Sequence, residues 1–171
     1  MKQEPLACKR EMAYVPDNPD IYEHMTGIQY LNFVGDVFRV DREAREEAIA
    51  QYASEFELLP NLGDLIGSYS HGMKQKLALI AAFMHKPKLM IFDEPFVGLD
   101  PKAMFTVKEM MKRRCAEGCA VFFSTHVLEV AEKLCNRVAI IKDGRLIASG
   151  SMDEVRGDDS LEDVFMELIE Q

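Results

Sequence analysis

The chain has 171 residues, 48% of them hydrophobic and 29% charged, with a formal net charge of −9. That length and balance suit one globular domain with a sizeable core and exclude a disordered or fibrous chain. The acidic excess argues against a general grip on nucleic acid, which needs clustered Lys and Arg. The longest apolar run is LALIAAFM at 77–84, well short of the roughly 20 residues needed to cross a bilayer. The first residues, MKQEPLACKREM, show neither the apolar stretch nor the cleavage site of a signal peptide, so a cytoplasmic location is expected. The cysteines Cys8, Cys115, Cys119 and Cys135 form no CxxC pair and sit among apolar neighbours, which predicts reduced, mostly buried thiols.

In chain order, MAYV at 12–15 reads as a short strand running into the turn PDNPD, whose prolines and Asn continue neither a strand nor a helix. Thr26 to Phe38 and Asp41 to Leu58 read as helices, the second with Ala48, Ile49, Tyr52 and Phe56 on one face. Ser70 to Gly72 open a helical stretch, MKQKLALIAAFM, bounded by Pro87. The character of the chain changes near residue 86. From Lys88 on, strands and helices alternate, which favours a mainly parallel α/β sheet. LMIFD is a strand. Asp100 and Pro101 start a helix as N-cap and first residue, with Met104, Val107, Met111 and Cys115 at helical spacing and an end at Gly118. CAVFFS is the next strand, followed by a helix with Val127, Val130, Ala131 and Leu134 on one side. RVAIIKDGRLIASG reads as a hairpin turning on Asp143 and Gly144. In SLEDVFMELI, Ser160 and Asp163 resemble a capping box, and Leu161, Val164, Phe165, Leu168 and Ile169 form an apolar stripe. The eleven methionines read as core filler.

Three places could carry chemistry. A buried strand ending in Asp93 and Glu94 puts two carboxylates at the carboxyl edge of a parallel sheet, where ligands of open α/β folds bind; helix capping and solvation are the alternative fate of such acids. Ser70 and Gly72 at a helix N-terminus present backbone N–H groups and a positive dipole end that suit a phosphate, although a plain Ser cap accounts for this segment taken alone. His126 follows a strand ending in Ser124 and Thr125 and is either a structural hydrogen-bonder or a catalytic group.

The order YSHGM, LMIFDEP, GLD, STH resembles the nucleotide-binding domain of ATP-binding cassette (ABC) transporters over nearly the whole chain. YSHGMKQK is similar to the family signature, usually LSGGQ, and LMIFDEP to the Walker B strand. Phe96 to Asp100 resemble the D-loop, Ser124 to His126 the H-loop, and MAYVPDNPDIYEHMT the segment around the Q-loop. The resemblance implies a P-loop NTPase-like α/β fold, an incomplete parallel sheet flanked by helices with an α-helical subdomain. Residues 1–171 would form a single partial domain: 18–86 the helical signature subdomain, 87–157 the C-terminal part of the α/β core, and 158–171 an amphipathic helix. It also implies ATP and Mg²⁺ as ligands. Asp93 would hold Mg²⁺ through a water, Glu94 would act as general base toward the attacking water or polarise it, and His126 would contact the γ-phosphate and order that water. In a head-to-tail dimer with a second nucleotide-binding subunit, Ser70, His71 and Gly72 would face the partner's ATP and Asp100 would couple the two sites. Tyr22 to about Phe38 would face the transmembrane subunits, at the cytoplasmic side of the membrane.

The sequence also departs from the family pattern. His71 stands for the first usual Gly of the signature and Met73 for its Gln, and the Q-loop glutamine position falls on Asp17. No G-x-x-x-x-G-K-S/T occurs, so the loop that cradles the β- and γ-phosphates is missing from these residues. With about a dozen residues before MAYV, the chain is expected to be the C-terminal two-thirds of such a domain. That loss predicts exposed apolar faces around LMIFD, marginal stability, and no ATPase activity for the chain alone. The resemblance leans toward an exporter. The alternatives are a non-catalytic fragment acting as an interaction module, and a soluble ABC ATPase unconnected with transport.

Overall fold

The computed structural model describes residues 4–170 and their side chains to Leu168. Residues 1–3 and 171, which the expected domain boundaries include, and the Ile169 side chain of the expected stripe lie outside the described residues. Among the described residues no helix is long and apolar enough to cross a membrane. The chain divides between Ser124 and Thr125 into two compact units.

The first unit holds α1 (Pro5–Arg10), β1 (Met12–Val15), α2 (Gly27–Phe38), α3 (Arg42–Glu55), α4 (His71–Met84), β2 (Leu89–Phe92), α5 (Pro101–Ala116) and β3 (Ala120–Phe123). The strands form one parallel sheet in the order β1-β2-β3, with Tyr14, Ile91 and Phe122 in one cross-strand row. Side chains alternate across a strand. Ala13, Val15, Met90 and Phe92 are buried on one face, while on the other Tyr14 is 64% and Phe122 63% exposed. The apolar exposure expected around LMIFD is thus concentrated on its neighbours.

Helix α4 fills the core. Every residue from Leu77 to Met84 is buried, because α2, α3 and β1 all pack against it and leave no solvent face to require polar residues. Phe83 contacts Tyr52 of α3 and Phe92 of β2, with ring centroids 6.1 and 5.9 Å apart. At the end of α4, the His85 ring stacks on Phe38 and its Nε2 lies 3.2 Å from the Met12 carbonyl; burial lowers its pKa.

The expected caps Ser70 and Asp100 are present, and Thr26 and Asp41, read from the sequence as first helical residues, are N-caps as well. Thr26 and Gln29 form a capping box on α2, and Asp41, Ser70 and Asp100 accept N–H bonds from the first turns of α3, α4 and α5. Two expectations are corrected. Helix α3 stops at Glu55 and not at Leu58, because Glu57 takes a left-handed φ of 54°. The Glu57 and Leu58 N–H groups then bond Ser54 and Ala53 carbonyls, a Schellman ending made without the usual glycine. The cysteines are not mostly buried: Cys119 is, but Cys115 is exposed and Cys8 and Cys135 are half-buried. The buried side of α5 is Ala103, Val107, Met110 and Met111. In its last turn Arg114, with a side chain only 11% exposed, turns inward to donate to the Pro87 carbonyl at 3.1 Å.

The second unit holds α6 (Leu128–Leu134), β4 (Arg137–Lys142), β5 (Arg145–Ser151), α7 (Met152–Arg156) and α8 (Leu161–Glu170). Strands β4 and β5 form the expected antiparallel hairpin. Asp143 and Gly144 both have positive φ, 49° and 74°, as a two-residue type I′ turn requires. Ala131, Ile140, Met152 and Leu161 make a small core, joined by Leu128, Val138, Phe165 and Leu168.

Candidate functional site

Because β1, β2 and β3 are parallel, their carboxyl ends share one edge, and the segments leaving that edge carry Asp17, then Asp93 and Glu94, then Ser124. Backbone bonds fix the edge: Asp93 N–H donates to the Val15 carbonyl at 2.9 Å and Ser124 N–H to the Phe92 carbonyl at 3.0 Å. The Ser124 hydroxyl ties the ends of β2 and β3 together. It donates to Asp93 Oδ1 at 2.5 Å and accepts the Glu94 N–H at 3.1 Å. Asp93 is exposed and Glu94 half-buried. Glu94 also has a φ of 45°, a left-handed conformation that costs a side-chain-bearing residue on the order of 1–3 kcal/mol and is concentrated at functional positions. Asp17 is exposed beyond β1.

A second cluster joins the first turn of α4 to the segment after Glu94. The Ser70 hydroxyl accepts the Met73 N–H at 3.2 Å, so it is an N-cap as well as an exposed hydroxyl whose own proton the cap does not use. His71 is exposed beside it, and Gly72 packs against Gly98 closely enough that a Cβ on Gly72 would stand 2.5 Å from the Gly98 carbonyl oxygen. One turn along, Lys76 Nζ lies 2.8 Å from Asp100 Oδ2. That ammonium, followed by the Ala103 N–H, lowers the Asp100 carboxyl to about 2. Phe96 is buried, edge-on to Phe123 at 5.7 Å, with Lys108 Nζ 5.7 Å from its ring centre. Gln75 is fully buried, and neither of its amide atoms has a hydrogen-bond partner among the described residues.

His126 belongs to the second unit, where it is exposed ahead of α6; the neighbouring Thr125 hydroxyl accepts the Val127 N–H at 3.1 Å. The expected residues therefore fall into three groups: Asp17, Asp93 and Glu94 at the sheet edge, Ser70, His71, Gly72 and Asp100 around the α4 N-terminus, and His126. Two residues given no site role from the sequence organise the first two groups, Ser124 being read there only as a strand end and part of the H-loop resemblance. Ser124 braces the acids and Lys76 holds Asp100; the sequence shows only a serine at a strand end and a lysine one turn into a helix.

The donor set suits Mg²⁺, which takes one or two carboxylates and completes its shell with water and phosphate oxygens. Among the described residues no three His, Cys, Asp or Glu side chains converge as a metal cage of their own.

Comparison with known proteins identifies the lineage. The ABC-type transporter ATP-binding protein EcsA of Bacillus subtilis is 32% identical over 99% of this chain and 70% of its own length. The chain belongs to the ATP-binding proteins of ABC transporters. Another family member, the linearmycin resistance ATP-binding protein LnrL of B. subtilis, is 31% identical over 90% of the chain and 49% of its own length, so the chain spans about half of some relatives. A solved structure described as the ATP-binding subunit of an ABC transporter superposes with a TM-score of 0.94 at 33% identity, covering 98% of this chain and 72% of that one. The fold is accordingly the P-loop NTPase α/β fold. Residues 25–132 also match a family model described as an AAA domain, putative AbiEii toxin, type IV toxin–antitoxin system.

Proposed function

We propose that this chain carries the hydrolysis-triggering part of the ATP site in the energy-coupling subunit of an ABC transporter. The observation that carries the reading is the braced pair at the end of β2, with Asp93 held by the Ser124 hydroxyl and Glu94 by its N–H and its left-handed backbone. Magnesium, when bound, offsets the charge of the phosphates. Asp93 would help to hold it, and the Glu94 carboxylate would accept a proton from the attacking water. His126, as the family resemblance implies, is the residue that would contact the γ-phosphate. Ser70, His71 and Gly72 face the ATP of a second nucleotide-binding subunit, where the α4 dipole and N–H groups favour negative charge. Asp100 connects the two sites, and Asp17 stands where a glutamine would approach the metal.

The transmembrane partners dock on the segment from Tyr22 to about Phe38, which includes α2, at the cytoplasmic side of the membrane. Tyr22, Phe33 and Val37 are exposed there, and Tyr22 packs edge-on against Phe33 at 5.6 Å. A neighbouring cleft of about 250 Å³ is lined by residues including Pro16, Pro19, Tyr30, Val34 and Phe38. Such an apolar patch beside a cleft suits a protein partner and not nucleic acid. The resistance function named for LnrL supports outward transport.

These 171 residues contain no G-x-x-x-x-G-K-S/T. On their own they are expected neither to hydrolyse ATP nor to bind Mg·ATP in the micromolar range. That same observation favours one further reading, an interaction module that pairs with an intact subunit. Calorimetric titration with Mg·ATP tests the first statement, and micromolar binding lost in Glu94→Gln and Asp93→Ala would overturn it. Copurification with an intact ABC subunit tests the pairing. A mixed complex that hydrolyses ATP supports the energy-coupling role, and one that stays silent supports the module.

A further inference from the structure

The His71 side chain has a seat in the fold. Gly98 has a φ of 74°, and a Cβ built on it would collide with His71 Cδ2 and lie 3.1 Å from Nε2. The imidazole edge therefore lies over Gly98, where a side chain at 98 would have to turn the exposed ring aside. The reverse side of the contact is equally tight, because Gly72 leaves no room for a Cβ beneath the Gly98 carbonyl. The loop is also tied at its ends: Asp100 to Lys76 at 2.8 Å, and Val97 and Leu99 N–H groups to the Glu94 and Phe96 carbonyls at 3.2 and 3.3 Å. Position 71 is a glycine in the usual signature, which offers no side chain to make this contact.

We propose that His71 is a positioning residue, whose ring seated over Gly98 locks the first turn of α4 to the Phe96–Asp100 loop so that the two shift as one body. This rests on the reading above, in which Ser70 and Gly72 act on a partner's nucleotide. A lock of this kind acts on the geometry reached after binding, so it affects turnover more than nucleotide affinity. It also makes positions 71 and 98 energetically coupled, since packed neighbours are non-additive.

Hydrogen exchange and thermal melting of the chain itself test the lock. His71→Gly is expected to raise amide exchange at Val97–Leu99 by about threefold or more while leaving the α5 amides unchanged. Gly98→Ala should lower the melting temperature, and less so in the His71→Gly background, where only the backbone strain remains. Additive melting shifts, or unchanged loop exchange, would overturn the proposal. The functional arm uses this chain mixed with EcsA. Where mixing adds ATP turnover, His71→Gly should lower the added kcat by about three- to tenfold with KM unchanged; an unchanged kcat would overturn the positioning role. If the unaltered chain pairs with no intact ABC subunit and adds no turnover, the energy-coupling reading fails, while exchange and melting still decide whether the lock exists.

Discussion

Replacing Ser124 with alanine removes one hydroxyl that serves both acids. The lost bonds are the 2.5 Å donation to Asp93 and the acceptance of the Glu94 N–H at 3.1 Å. A hydrogen bond to a charged group contributes about 1.5–3 kcal/mol and a neutral one about 0.5–1.5 kcal/mol. Asp93 is exposed and regains water when the hydroxyl is lost, so the first figure falls to its low end or below. The net cost is then about 1–2 kcal/mol. For a chain of this size each kcal/mol moves the midpoint by about 2–4 °C, which gives a Tm lowered by about 2–8 °C. Ser124→Thr, which keeps the hydroxyl, should recover most of it. The assay is a melt followed by circular dichroism, paired with hydrogen exchange at the Glu94 amide, which should speed up in the alanine variant alone. A Ser124→Ala protein that melts with the parent and protects Glu94 equally would refute the brace.

Gln75→Met replaces a buried amide that has no partner among the described residues by an apolar side chain of similar shape and should raise stability by about 1–3 kcal/mol; a lower urea midpoint would show that the amide is satisfied in solution. Asp100 titrates near 2 because of Lys76. A carboxylate with a depressed pKa stabilises the fold above its ordinary value of 3.8, and that contribution is lost as pH falls through about 2. Lys76→Ala should therefore cost about 0.5–1 kcal/mol at pH 6, screened because Asp100 is exposed, and almost nothing near pH 2. NMR titration of Asp100 in the ordinary carboxylate range would contradict this. Finally, Tyr14→Thr with Phe122→Thr should raise the soluble monomer fraction by removing the exposed aromatic row; a parent chain already monomeric, with a cooperative melt at high temperature, would remove the premise.

Sequence reading succeeded where a local residue performs a local task. Ser70 and Asp100 cap the helices they precede because a short oxygen-bearing side chain satisfies nearby orphan N–H groups, and the helix starts read at Thr26 and Asp41 fall on the caps themselves. Asp143 and Gly144 turn the hairpin because that turn needs two residues at positive φ. The same logic could have found α7, where Ser151 and Glu154 form a capping box, but its five residues are too few to show a periodicity. It could not have found the end of α3, since Glu57 takes the place where glycine is the usual signal.

By itself, the sequence determined the elements, the order of the motifs and the family they resemble, all written in short runs of neighbouring residues. Which residues meet was decided only by tertiary structure. Parallel alignment of three strands distant in the chain put Asp17, Asp93, Glu94 and Ser124 on one edge. The packing of α4 on the Phe96–Asp100 loop set His71 over Gly98 and Lys76 on Asp100. Those contacts depend on strand register and on atomic clearance between segments more than twenty residues apart in places, which no pattern within either segment encodes.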